Sequence, residues 1–165
     1  MKRIFQPLQV VANAWQAIGH GSNDGQHAVG VITALLVAEG VLASFSVPLW
    51  VTVSSAAAIA FGTALGGWSV IDVVARKITK IRPYQGFAAS TSGAGVLTLM
   101  TFSGIPVSST HVISGAIVGA GVTRGWQAVN WTMVREIIGA WIITIPAALA
   151  ISFCLYWASR IVGLF

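Results

Sequence analysis

Charge is scarce in this chain. Of its 165 residues only 8% are charged, nine Lys and Arg against four Asp and Glu, where an ordinary soluble domain carries roughly 25%. That shortage argues against a water-soluble globular protein. A single cysteine, Cys154, excludes an internal disulfide and a cysteine-built metal site. No GxxxxGK[ST] run is present, so ATP is not held by a P-loop, and no HExxH or comparable spacing marks a metal centre. What fills the chain instead is apolar: 56% of residues are hydrophobic, with seven Trp and 18 Gly, a composition suited to interfacial anchoring and close helix packing in lipid. The formal net charge of +5 does not point to nucleic acid. The basic residues sit in short loops and at the ends, as membrane orientation requires.

The charges fall at positions 2, 3, 24, 39, 72, 76, 77, 80, 82, 124, 135, 136 and 160, and the gaps between them read as spans. Residues 4–38 form one long span, broken at the polar knot Gly19-His20-Gly21-Ser22-Asn23-Asp24-Gly25. Residues 48–71 are uncharged and long enough to cross hydrocarbon as one tilted helix. Arg76, Lys77, Lys80 and Arg82 follow without an acid among them, which places this loop in the cytoplasm. Residues 83–123 are too long for one crossing and are cut at Gly104-Ile105-Pro106-Val107-Ser108-Ser109-Thr110-His111. With Arg124 and Arg135 beyond, the charge rule favours a return to the same side, read here as a re-entrant helical hairpin. Residues 137–159 make a closing span, with Trp141 and Trp157 toward its ends and Pro146 inside. The basic start resembles a signal peptide, but Pro7 and two Gln interrupt the apolar core such a peptide needs. The fold expected is an all-α, multi-pass integral membrane protein.

The two polar knots carry the chemistry. A carboxylate within an apolar span costs about 2.5 to 3.5 kcal/mol on insertion scales, so Asp24 needs a partner, a cavity or a function. Ser22, Asn23 and Asp24 are helix-capping residue types, and a helix resuming at about Gly25 would turn free N–H groups toward an anion. Ser108, Ser109 and Thr110 stand where the helix after Pro106 begins and repeat that logic. Broken helices meeting near mid-membrane are the architecture of secondary transporters. In that scheme Asn23 and Asp24 supply oxygens to a coupling Na⁺, or Asp24 carries a proton, and the anion lies between the knots. The blander reading makes Asp24 only an N-cap. The GxxxG pairs Gly21/Gly25, Gly62/Gly66 and Gly115/Gly119 are read as helix packing. A hydrolase built from Ser109, a His and Asp24 is the rival enzyme reading, but no GxSxG elbow is present, so no enzyme is expected.

Gly21-Ser22-Asn23-Asp24 resembles the G-[AS]-N-D motif, and Gly104 through His111 the G-x-P-V-S-[ST]-T-H motif, of the PiT family of inorganic phosphate transporters. Lys80-Ile81-Arg82-Pro83 through Gln85-Gly86-Phe87-Ala88 resembles the segment joining them. The resemblance covers essentially the whole chain and implies a symporter moving phosphate with Na⁺ or H⁺, built from two halves of opposite orientation in the cell membrane. By resemblance, Asn23 and Asp24 bind the cation, while Ser108, Ser109, Thr110 and, more weakly, Ser22 contact phosphate. Only one half of that pattern is matched, the C-terminal one, so the chain is expected to be a fragment of a longer transporter, a split half whose partner is a complementary half-transporter, or a half-size protein that pairs with a second copy. Gly25-Gln26-His27 replaces the Val-Ala-Asn of many members, which leaves the cation open. Sulfate or another oxyanion, or a non-transporting membrane subunit, are the alternatives.

Overall fold

A computed structural model describes residues 2–72 and 77–161; Arg76 of the basic loop lies outside them. Five α-helices follow in order: α1 Lys2–Ala38, α2 Leu49–Asp72, α3 Pro83–Phe102, α4 Ser109–Val122 and α5 Trp131–Ile161. A 3-10 turn, Trp126–Ala128, separates the last two. Among the described residues the only β pairing is the isolated Thr79–Val129 bridge. The chain divides into two compact units, Met1–Val129 and Asn130–Phe165.

In the first unit α1 departs from expectation. It runs for 37 residues, about 55 Å at roughly 1.5 Å per residue, with no interruption at the Gly19–Gly25 knot. The reason is local and tertiary at once. No proline follows Pro7 within α1, and interior glycines cost a helix only about 1 kcal/mol each. At Gly19 the missing side chain admits a neighbour, since a Cβ there would lie 3.2 Å from Leu97 Cβ of α3.

The α1–α3 seam advances in step along both helices. Gln9 lies against Gly86, Asn13 bonds Ser90, Gln16 lies over Gly93, and Gly19 meets Leu97. Both series advance by four, three, then three or four residues, so the helices run parallel with small residues on α3 admitting the polar side chains of α1. The break after α3 forms as expected, although Gly104 ends the helix before Pro106 is reached. Gly104 takes φ +67°, its N–H bonds Thr101 O and that of Ile105 bonds Met100 O, closing a Schellman motif. α4 then returns antiparallel, with Gln85 Nε2 donating to Ala120 O at 2.8 Å and Gly93 facing Ala116. At 14 residues α4 is about 21 Å long, shorter than the roughly 30 Å of bilayer hydrocarbon.

Phe5 packs on Tyr84 and Phe87, bringing the start of α1 to the start of α3. Arg124 Nη1 donates to Lys80 O at 2.6 Å, and Thr79 Oγ1 donates to Ala128 O at 2.7 Å. Arg3, Lys80, Arg82 and Arg124 therefore gather at one end of this unit.

Of the GxxxG pairs, Gly25 alone has a neighbour where a Cβ would stand, Ile59; the other five glycines face open space. Their expected packing role is not seen among the described residues, and Gly62 and Gly66 line a cavity instead.

The second unit is α5, which Asn130 starts by accepting the Met133 N–H on its Oδ1 at 3.3 Å. The helix continues past Pro146 for 31 residues. α2 and α5 are long and apolar enough to cross a membrane.

Candidate functional site

The N-terminus of α4 is set by its cap. Ser108 has extended backbone, φ −73° and ψ 113°, and its hydroxyl oxygen accepts the His111 N–H. Helix geometry leaves the N–H groups of Ser109 and Thr110 without an intrahelical acceptor, so this end carries positive potential. Ser109, buried at 3% exposure, donates its hydroxyl to Asp24 Oδ2 at 3.1 Å. The two knots thus meet directly, across 85 positions of sequence.

Around that contact the polar groups are unevenly satisfied. Asp24 is about one-third exposed, and His20, one turn earlier, brings Nδ1 to 3.3 Å from the same Oδ2. The imidazole is not aligned for a hydrogen bond, and Nδ1 is buried without a partner; the pair attracts only when His20 is protonated. Asn23 is 1% exposed, and neither its Oδ1 nor its Nδ2 has a hydrogen-bond partner. A buried unsatisfied amide costs about 1–3 kcal/mol.

Two cavities adjoin the contact. The larger, about 820 Å³, starts among Arg82, Gln9 and Gly86 at the basic end and reaches His20, Ser109 and Thr110. The smaller, about 520 Å³, is lined by Asp24, His27 and residues 106–110. Ser109 and Thr110 line both, so the Asp24–Ser109 contact stands as a septum between them.

Asp24, Ser108, Ser109 and Thr110 therefore come together, whereas Asn23, the preceding residue of α1, is buried and lines neither cavity. Ser22 does not join them: it is exposed and lines neither cavity, because in an unbroken α1 it lies about 200° around the helix from Asp24 at roughly 100° per residue. The same continuity removes the free N–H groups expected at Gly25. One helix end, that of α4, serves both knots. The amides of Gln9, Asn13 and Gln16, which lie outside both polar knots, form one wall of the larger cavity. Their spacing of four and three residues was the available signal. Among the described residues, no cluster of His, Cys, Asp and Glu is suited to a transition metal.

Residues 1–152 match the Phosphate transporter family. The chain belongs to that family. Among similar proteins, a probable low-affinity inorganic phosphate transporter of Rhizobium meliloti is 47% identical over 96% of this chain and 48% of its own length. One of Bacillus subtilis with the same description is 38% identical over 93% of this chain and 46% of its own length. A solved structure titled "The sodium-dependent phosphate transporter" superposes with TM-score 0.85 at 28% identity, covering 97% of this chain and 41% of that one. The chain spans about half the length of the curated relatives it matches.

Proposed function

We propose that this chain is one repeat of a phosphate symporter whose coupling point is the Asp24–Ser109 pair. The observation that carries this reading is the 3.1 Å hydrogen bond from Ser109 to Asp24 at the N-terminus of α4, between two cavities. While that bond holds, the serine proton is committed to the carboxylate, and an arriving anion meets lone pairs. A unit negative charge about 4 Å from a bare carboxylate is repelled by about 4 kcal/mol at an effective dielectric near 20. A hydrogen bond to a charged group returns about 1.5–3 kcal/mol, so repulsion exceeds any single bond the anion gains. Neutralising Asp24 removes the repulsion and releases the Ser109 hydroxyl at the same moment. The cation binds first and the anion follows.

Na⁺ is the first reading, with Asn23 Oδ1, buried and unpaired one position before Asp24 on α1, proposed as a second oxygen. The solved relative is also titled sodium-dependent. A proton is the second reading, favoured by His20 Nδ1 at 3.3 Å from the same carboxylate oxygen. Phosphate then takes the Ser108, Ser109 and Thr110 hydroxyls and the N–H groups at the start of α4.

In this reading α1, α2 and α5 cross the cell membrane, α3 and α4 form the re-entrant pair, and the basic end faces the cytoplasm. The shortness of α4 and the gathering of Arg3, Lys80, Arg82 and Arg124 at one end support it. A complementary repeat of opposite orientation completes the transporter.

Uptake of radiolabelled phosphate into proteoliposomes holding the chain and a complementary half tests the proposal. Uptake above empty vesicles that follows an inward Na⁺ or H⁺ gradient is expected. Uptake equal to empty vesicles under every gradient would contradict it, and sulfate uptake exceeding that of phosphate would reassign the substrate.

A further inference from the structure

The larger cavity carries donors that the coupling point does not use. Arg82 stands at its basic end, and the amides of Gln9 and Asn13 line the adjoining wall. No carboxylate lines it among the described residues. Ser90 donates to Asn13 Oδ1 at 2.6 Å, which occupies the acceptor of that amide and leaves its two N–H groups to donate. Gly86 has no side chain where the Gln9 amide lies, and any Cβ there would collide with it.

Arg82 is held by its backbone and free at its head. Gln85 accepts the Arg82 N–H on Oε1 at 3.2 Å while its own Nε2 is anchored to Ala120 O. The Arg82 side chain is exposed and has no ion-pair partner among the described residues. A guanidinium beside two amide NH₂ groups fits a ligand whose surface is all acceptors, and its charge repels a cation. Gln9 is about 16 Å along the α1 axis from His20, at roughly 1.5 Å per residue. An ion held at Gln9 and Arg82 is thus out of hydrogen-bond reach of Ser109.

We propose that the basic end of this cavity holds a second oxyanion subsite, formed by Arg82, Gln9 and Asn13, that binds a phosphate group on the cytoplasmic side of Ser109. Its receipt of phosphate released from Ser109 rests on the phosphate reading above, whereas binding there does not. Positive potential focused in a cleft raises the local concentration and arrival rate of anions. The same chemistry would take either free inorganic phosphate or the phosphate of a lipid headgroup.

The test is the rate at which phenylglyoxal labels Arg82, followed by mass spectrometry on the chain in phosphatidylcholine nanodiscs, with Arg3 and Arg124 as internal references. With inorganic phosphate at roughly ten times its half-protecting concentration, Arg82 labelling is expected to fall about tenfold, since the unoccupied fraction is 1/(1 + [L]/Kd). The references should be unchanged. Protection that appears only when phosphatidylglycerol is added to the nanodisc also supports the subsite and assigns the headgroup as its source. Unaltered Arg82 labelling in both arms overturns it. Ser109→Ala separates this proposal from the coupling reading: protection that persists in the variant supports an independent subsite, and protection that vanishes with Ser109 overturns it. Gln9→Leu with Asn13→Leu is expected to raise the half-protecting concentration about tenfold, the loss of one good hydrogen bond. An unchanged value would remove these amides from the site.

Discussion

Asn23 and Asp24 are neighbours in sequence with opposite satisfaction: Asp24 accepts from Ser109 at 3.1 Å, while the fully buried Asn23 amide has no partner at either end. A buried amide left unpaired is a stability cost that a bound cation would offset. Removing it exchanges function for stability.

Asn23→Leu is therefore expected to raise the melting temperature of the ion-free protein, because a similar volume is kept and an unsatisfied group worth about 1–3 kcal/mol disappears. The same variant should lose any upward shift of Tm on adding Na⁺. Thermal unfolding in detergent with and without NaCl measures both, and a variant that is less stable yet still Na⁺-responsive would remove Asn23 from the cation site.

Ser109→Ala deletes the donor that phosphate is to inherit. Phosphate affinity should fall about 10- to 100-fold, equivalent to the roughly 1.5–3 kcal/mol of a hydrogen bond to a charged group. Equilibrium binding of radiolabelled phosphate at saturating Na⁺ checks this, and unchanged affinity would place the anion elsewhere.

Gly121 tests the end opposite the coupling point. A Cβ there would stand 2.8 Å from Val129 Cγ2 and 3.0 Å from Thr79 Cγ2. Gly121→Ala should destabilise this unit by about 1–3 kcal/mol through overpacking. Thr79→Ser removes one crowded methyl and keeps the hydroxyl bonded to Ala128 O. The double variant should recover part of the lost Tm, and an additive loss would show that the crowding lies elsewhere.

The chemical ends of the site were legible in the sequence and their setting was not. An acid within an apolar run stands out as Asp24 does, and Gly104 followed by Pro106 announces a helix break with three hydroxyls behind it. The continuity of α1 was illegible because Gly19, Gly21 and Gly25 resemble breakers in isolation. Contact with α3, where Leu97 fills the space beside Gly19, joins the absence of a proline after Pro7 in favouring the unbroken helix. The amide wall of the larger cavity was likewise hidden. Gln9, Asn13 and Gln16 share a helix face by spacing, but the groups opposite them depend on α3 running parallel to α1. Gly121 meets Thr79 and Val129 only after α4 and two loops have been brought together, a contact with no local signature.

The most direct test of coupling is phosphate binding titrated with and without Na⁺, at fixed pH and again across pH, for the wild type and Asp24→Asn. In the wild type, phosphate should bind about 100- to 1,000-fold more tightly once Asp24 is neutralised, the equivalent of roughly 3–4 kcal/mol of relieved repulsion. Asp24→Asn, neutral from the outset, should bind phosphate without regard to Na⁺ or pH near the site. Wild-type phosphate affinity indifferent to both cations, or an Asp24→Asn variant with unaltered cation dependence, would contradict the role assigned to the Asp24–Ser109 bond.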